Sequence, residues 1–262
     1  MINFFRKIRK QLADDNQFFK YARYAIGEIV LVVVGILIAL QINNWNENRK
    51  SALREIYYLQ SLMNEFTENK SITEHALNFH NAQIKNAHIV LSILEQDSTY
   101  NNLDDVHFAI LQTGYVWSGV FKSDVWSELL STGNVGLISN DSLRKTITAF
   151  HSKAENMVIA EKEWSRYNLH YRSISGDVLP SKLRIEVASA TGHYAKIRNI
   201  KLPLLNQKIL EENMRKINGF SPAIADVIIV RKVGLIFLEE INMMIEGILE
   251  QLELENKLKT KG

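Results

Sequence analysis

Hydrophobic and polar positions follow three different patterns along this chain of 262 residues. Residues 1–20 mix aromatic and aliphatic residues with lysine and arginine, whereas residues 21–44 are almost wholly apolar. From residue 45 onwards, apolar residues recur every three or four positions, which is the period of an amphipathic helix. The three patterns predict a basic amphipathic cytoplasmic head at 1–20, a transmembrane helix at 21–44 and a helical domain outside the membrane at 45–262.

The apolar run is long enough to cross a lipid bilayer. At about 1.5 Å per residue, positions 24–42 cover roughly 28 Å, which is close to the hydrocarbon thickness of a bilayer. Ten Ile, Val and Leu residues lie between Ile29 and Leu40, and they favour insertion by roughly 3 to 6 kcal/mol. Glu28 opposes insertion, but it lies one turn from the start of the run, where a carboxylate costs less than at the bilayer centre. We therefore expect insertion to prevail.

The residues on either side of the run predict whether it is cleaved and in which direction it crosses the membrane. A cleaved signal peptide is the alternative interpretation, because a basic head before an apolar run is typical of one. Gln41, Asn43 and Asn44 stand where a cleavage site would need small residues, and this favours an uncleaved anchor. Six lysine and arginine residues precede the run and only three follow it closely. By the positive-inside rule, the N-terminus is cytoplasmic and the body lies outside.

One face of the predicted membrane helix carries small residues. Glu28, Gly35, Ala39 and Ile42 share this face by spacings of seven, four and three residues. Small residues let two membrane helices approach closely, and such a contact would also shelter Glu28. Two interpretations stay open: a homodimer through Glu28, Gly35 and Ala39, or a lone helix in which Glu28 reaches the headgroups.

The remaining pattern predicts an all-α fold. No glycine or proline stands between Gly35 and Gly114, so the membrane helix is expected to continue as a long stalk helix over residues 45–97. Residues 173–204 show no sustained period and are interpreted as a loop with short helical pieces. The long amphipathic helices favour an antiparallel bundle. The other predicted elements are a helix at 103–111, a helix capped by Ser123 and ended by Gly133, a long helix capped by Asn140 or Asp141, and a last helix that begins at Ser221 and Pro222.

Composition narrows the class of protein. The formal net charge is +2 and the only basic cluster lies in the head, so nucleic acid is not an expected partner. The chain has no cysteine, which excludes disulfides and thiolate chemistry.

No motif in the chain predicts a reaction. The seven histidines form neither HExxH nor a paired ExxH, and no phosphate-binding glycine loop, nucleophile elbow or dinucleotide fingerprint is present. We therefore predict no catalytic residue, no metal site and no cofactor. His80 lies on the apolar stripe of the stalk, where a hydrogen-bonded packing histidine is favoured over a ligand.

An aromatic group surrounds the glycine-bearing turn after residue 112. Tyr115, Trp117, Phe121 and Trp126 predict either the closed end of the bundle core or a docking site for a partner or a small apolar ligand. Both interpretations stay open at this point.

Two stretches carry a resemblance to a known family. The opening as far as NWNENRK, with its span GEIVLVVVGILIALQINNWNE, and the later VWSELLSTGNVGLISNDSLRKTI resemble the bacterial family DUF6090 of unknown function. The resemblance implies a single-pass bacterial membrane protein, and hence an inner (cytoplasmic) membrane location with a periplasmic body. It implies no activity and no catalytic residues.

These observations favour a membrane-anchored interaction, scaffold or sensor-like module without catalysis. A head of about twenty residues leaves little room for an output domain, so assembly with another membrane protein is favoured over autonomous signalling. The alternative is a membrane-tethered hydrolase or ligand-binding enzyme whose site is assembled from dispersed residues such as His107, His151 and Glu161. Convergence of those side chains in a cleft would favour the alternative.

Overall fold

A computed structural model describes residues 17–95, 103–185 and 207–261. The predictions for most of the head, for the end of the stalk and for most of the 173–204 loop lie outside the described residues. The helices are α1 (Gln17–Glu95), α2 (Leu103–Gln112), α3 (Asp124–Ser131), α4 (Asp141–Ser175), α5 (Gln207–Lys216) and α6 (Phe220–Lys261), with a 3₁₀ turn at Asn134–Leu137. The described residues include no strand, and the predicted all-α class is confirmed.

The chain divides into two compact units, Met1–Ile56 and Tyr57–Gly262. We call the first the N-terminal unit and the second the body. In the N-terminal unit, residues 17–56 belong to α1, and every side chain from Tyr24 to Arg54 is exposed. An apolar helix without any protein cover is therefore the main feature of this unit.

Three long helical segments build the body: the part of α1 from Tyr57 onwards, α4 and α6. Their apolar faces meet in two separate hydrophobic clusters. The first cluster contains Phe66 of α1, Phe150 of α4 and Ile245 of α6. The second contains residues from the other ends of the same three helices, together with residues of α2 and α5.

Contacts along α4 and α6 show that these helices run in opposite directions. Near the start of α4, Asn140 Nδ2 donates to Glu255 Oε1 at 2.7 Å. Near its end, the rings of Tyr171 and Phe220 stack with centroids 5.6 Å apart. The order of the clusters also shows that α1 runs in the same direction as α4. The body is thus a bundle in which α6 is antiparallel to the other two long helices.

From Tyr57 to Glu95, the segment predicted as a stalk is one of the helices that build the body. Leu59, Phe66, Ala76, Ala87 and Ile93 are at most 1% exposed. Their periodicity is the one expected of an amphipathic helix, and its apolar face packs against α4 and α6 in the first cluster. From Tyr57 onwards, α1 is therefore a bundle helix rather than a free spacer.

The predicted helix ends are confirmed in part. Asn140 caps α4, with its Oδ1 accepting a hydrogen bond from Leu143 N at 2.9 Å. Ser123 is the N-cap residue of α3, but its hydroxyl makes no capping bond. Instead, Oε2 of Glu65 accepts a hydrogen bond from Val125 N at 2.7 Å. A carboxylate from α1 thus satisfies a free N–H at the start of α3.

Gly133 adopts the left-handed conformation that was predicted for it, with φ = 70°. We expect Gly133→Ala to lower the free energy of unfolding by about 1 to 2 kcal/mol, because a Cβ is unfavourable at this φ. Gly136→Ala is the matched control, since Gly136 lies outside the left-handed region and nothing lies within 4 Å of a Cβ built on it. Urea unfolding followed by circular dichroism measures both variants, and equal destabilisation would contradict the assignment.

Candidate functional site

The predicted membrane-contact face is open. Glu28, Gly35 and Ala39 are exposed, and a Cβ built on Gly35 would meet nothing within 4 Å. No described residue of the N-terminal unit covers this face. The homodimer through these residues stays a prediction.

The four aromatic candidates for partner docking have different surroundings. Phe121 and Trp126 are 8% and 3% exposed and belong to the first hydrophobic cluster. Trp117 is partly buried, with its ring centroid 6.1 Å from that of Phe121. Tyr115 is also partly buried and lies beneath the guanidinium of Arg172. Of the four, only Tyr115 and Trp117 present accessible surface for a partner.

The three side chains considered for a catalytic site do not form one group. His151 stacks on Trp126 with ring centroids 5.9 Å apart. Glu161 follows ten residues later on α4, about 15 Å along the helix axis, and is paired with Arg231. His107 is fully buried on α2. Among the described residues, no group of three or more His, Asp or Glu side chains is placed to hold a metal ion.

A layer of buried polar side chains lies between the two hydrophobic clusters. It joins α1, α4 and α6, and none of its central members exceeds 4% exposure. The members occupy positions on the apolar stripes of their own helices, where periodicity alone predicts a hydrophobic residue. We call this group the polar layer, and its central residues are His80, Glu161, Asn168 and Arg231.

Arg231 is the centre of the polar layer. Its Nη1 donates to both carboxylate oxygens of Glu161, at 2.8 and 2.7 Å. Its Nη2 donates to Oδ1 of Asn168 at 2.8 Å. Asn168 then extends the network through Nδ2, which donates to the carbonyl oxygens of Tyr115 at 3.0 Å and Thr113 at 3.3 Å. One guanidinium therefore links α6 to α4 and, through Asn168, to the segment after α2.

His80 connects α1 to the same group. Its Nδ1 lies 3.2 Å from the carbonyl oxygen of Arg231, and its Nε2 lies 3.1 Å from Oε1 of Glu161. Each ring nitrogen thus faces an oxygen acceptor, so the N–H of either tautomer can donate a hydrogen bond here. A Cβ on Gly234 would collide with the His80 ring. Glycine at position 234 is therefore needed for α1 and α6 to approach here.

The charge of Glu161 is stabilised within the protein. Burial raises the pKa of this carboxyl, but the hydrogen bond from His80 and the charge and hydrogen bonds of Arg231 outweigh burial and hold the pKa below its ordinary value. A surface cavity of about 260 Å³ reaches Glu161 between α4 and residues 116–120. Because Arg231 donates to both carboxylate oxygens, Glu161 is a structural anion and is poorly suited to accept a proton from a ligand.

The sequence contains a signal for the polar layer in the charges that lie on apolar stripes. The sequence pattern identifies His80 as a packing histidine but gives no role to Arg231 or to its pairing with Glu161. The interpretation of His80 is confirmed by its burial and its two polar contacts. A cation on the stripe of α6 and an anion on the stripe of α4 form a complementary pair, because a charge on a buried face requires an opposite charge.

These features define the class: an all-α protein with a single candidate membrane-spanning helix in the described part of the chain and a helical body. The chain belongs to DUF6090, described as a family of unknown function, whose model matches residues 28–218 and thus well over half of the chain. No match was found among curated proteins or among solved structures.

Removing one partner of the central ion pair should destabilise the body strongly. We expect Arg231→Met to lower the free energy of unfolding by about 3 to 5 kcal/mol, because Glu161 would remain buried without its cation. Lys232→Met is the matched control, since Lys232 is exposed on the same helix. The double variant Arg231→Met with Glu161→Met should recover part of the loss in urea unfolding. Additive losses in the double variant would show that the two charges are not coupled.

Acid should weaken the body through His151. Burial lowers the pKa of His151 from 6.5 to about 4, and its Nε2 has no hydrogen-bond partner among the described residues. The unfolded chain therefore binds the proton first, and stability falls as the pH drops from 6.5 towards 4. We expect His151→Phe to remove about 1 to 2 kcal/mol of this loss, as measured by urea unfolding at each pH.

Between pH 6.5 and 4.5, the change in the free energy of unfolding reports on His151 and not on Glu161. The lowered pKa of Glu161 contributes stability that is complete above its ordinary value of 4.5 and is lost only below it. His75→Gln is the control, because His75 is exposed on α1. A profile for His151→Phe that matches the unmodified protein would show that His151 is not the group responsible.

Proposed function

We propose that this protein is a single-pass membrane protein whose helical body acts as an interaction or scaffold module for another membrane protein, without catalysis. The observation that carries the proposal is an 18-residue window of α1 with mean hydropathy 2.6, of which no residue is buried within the protein. A core helix of a soluble protein would bury such a window, whereas a bilayer covers it without any protein partner.

The residues around the window support an uncleaved anchor. The helix of α1 continues through Gln41 and Trp45 without a break, whereas a signal peptide would be followed by a cleavage site. The excess of lysine and arginine before the window favours a cytoplasmic N-terminus and a periplasmic body. Together with the resemblance to a bacterial family, this excess supports the inner membrane as the location that we propose.

An apolar loop supports the interaction role of the body. Residues 115–120 connect the end of α2 to the first cluster, and Val120 in this loop is 69% exposed. Tyr115, Val116 and Trp117 are partly buried and share the loop. Tyrosine and tryptophan are enriched in protein interfaces relative to the rest of the surface. We propose this loop as the docking site for the membrane partner, and Gly35 with Ala39 as the contact for a homodimer.

Membrane anchoring is tested on the full-length chain expressed in bacteria. The protein should remain in the membrane pellet after alkaline carbonate washing, and the variant Val33→Arg with Leu37→Arg should lose this retention. Two arginines at the bilayer centre cost roughly 5 to 7 kcal/mol, as much as the apolar run contributes. Asn44→Arg with Asn48→Arg, on the polar side of the run, is the control. Release of the unmodified protein by carbonate would disprove the anchor.

The interaction role is tested on the same membranes after gentle solubilisation. A specific membrane protein should be captured with the unmodified chain and lost with Val120→Asp. Leu130→Asp is the matched control, since Leu130 is 57% exposed on α3 outside the loop. Trp126 is unsuitable for this purpose because its substitution would disturb the core. Capture of nothing beyond the protein itself would overturn the scaffold proposal, and retention with Val120→Asp would exclude the loop.

A further inference from the structure

A second cavity, of about 290 Å³, lies on the body beside the ends of α2 and α4. Two arginines from different parts of the chain line it, Arg172 at the end of α4 and Arg184 in the segment that follows. Tyr115, Ser175 and Ser181 also line the cavity, and the Ser175 hydroxyl donates to the carbonyl oxygen of Arg172 at 3.4 Å. The cavity thus combines two permanent cations with hydroxyl-bearing side chains.

Both arginines are held in place by packing against backbone. Nη1 of Arg184 donates to the carbonyl oxygen of Gly176 at 3.1 Å, and a Cβ on Gly176 would lie only 3.0 Å from that nitrogen. The guanidinium of Arg172 lies 5.7 Å from the centre of the Tyr115 ring. A Cβ on Gly114 would collide with the Arg172 side chain. The two glycines therefore make room for the two cations, and the cavity is formed before any ligand binds.

Neither cation is neutralised within the described part of the chain. Arg172 and Arg184 form no ion pair there, and the described residues that line the cavity include no aspartate or glutamate. By contrast, Arg144, Arg166 and Arg215 each pair with a carboxylate on their own helix. Two fixed guanidinium groups that meet no carboxylate among the described residues create a site of positive potential that favours an anion.

We propose that this cavity binds a small phosphate monoester. Such a group carries close to two negative charges near neutral pH, which matches the two arginines, and guanidinium forks fit phosphate oxygens with two parallel hydrogen bonds. Leu111 and Ile185 supply an apolar wall for the organic part of the ligand. The volume is at the lower end of small-molecule sites, so a compact ligand fits and a polymer does not. This inference is independent of the proposed scaffold role.

The probe for the proposal is phenyl phosphate, titrated calorimetrically into the full-length protein in detergent micelles. Saturable binding with one site per chain is expected, with weaker binding of inorganic phosphate, which lacks the apolar part. Phenol, the neutral match, should not bind. Absence of saturable binding of phenyl phosphate, or equal binding of phenol, would overturn the proposal.

Charge variants test the two arginines separately. Arg172→Gln and Arg184→Gln should each weaken phenyl phosphate binding by about tenfold or more, because a charge-assisted contact is lost. Arg166→Gln is the matched control on α4, since Arg166 is exposed and pairs with Glu163 at 3.0 Å outside the cavity. An equal loss in Arg166→Gln would show that only general surface charge attracts the ligand. Unchanged binding in both cavity variants would refute the site.

If an arginine variant melts at a lower temperature, its loss of binding could come from partial unfolding. A third variant then tests the cavity without changing either arginine. Ser181→Trp fills the cavity from its exposed rim and leaves both arginines in place, so it should abolish binding without unfolding the body. Nanodiscs of phosphatidylcholine with and without phosphatidic acid then distinguish two sources of the phosphate monoester. Competition by phosphatidic acid assigns a lipid headgroup, and its failure to compete assigns a soluble phosphate ester.

Discussion

The pairing of Arg231 with Glu161 is the constraint on which the body depends. Each group would cost several kcal/mol to bury alone, so the two must be buried together and in hydrogen-bonding geometry. Their helices, α6 and α4, are thereby held in one register. His80 of α1 contacts Glu161, so α1 is held in register with them as well. A hydrophobic layer of similar volume could be as stable, but it would tolerate sliding of the helices. We infer that the polar layer mainly provides specificity of packing.

Local patterns predicted the helices well because helix starts and ends depend on neighbouring residues. Asn140 and Gly133 were identified from the residues around them, and both have the predicted geometry. The N-terminus of α3 was predicted less well, because its capping group is Glu65 of α1 rather than the nearby Ser123. The polar layer was missed for the same reason: its partners are up to 151 residues apart, and periodicity along one helix does not identify the facing side chain.

The stalk prediction shows a second limit of periodicity. A stripe of apolar residues indicates that one face of a helix is covered, but it does not indicate what covers it. Residues 45–97 therefore gave the same signal for a spacer and for a bundle helix, and only the packing of Phe66 and its neighbours against α4 and α6 distinguishes them. The aromatic group was ambiguous in the same way, since Trp126 is core whereas Trp117 keeps accessible surface.

The order of the helices along the chain has a consequence for biosynthesis. Helix α6 supplies Arg231 and one wall of both hydrophobic clusters, and it leaves the ribosome after α1 and α4 because it follows them in the sequence. Until α6 has emerged, α1 and α4 have no complete partner, and Glu161 lacks its cation. The body can therefore complete its fold only once α6 has been synthesised, and before that the nascent chain exposes apolar surfaces that favour aggregation or chaperone binding. A chain truncated before α6 would expose the same apolar faces together with the unpaired carboxylate of Glu161.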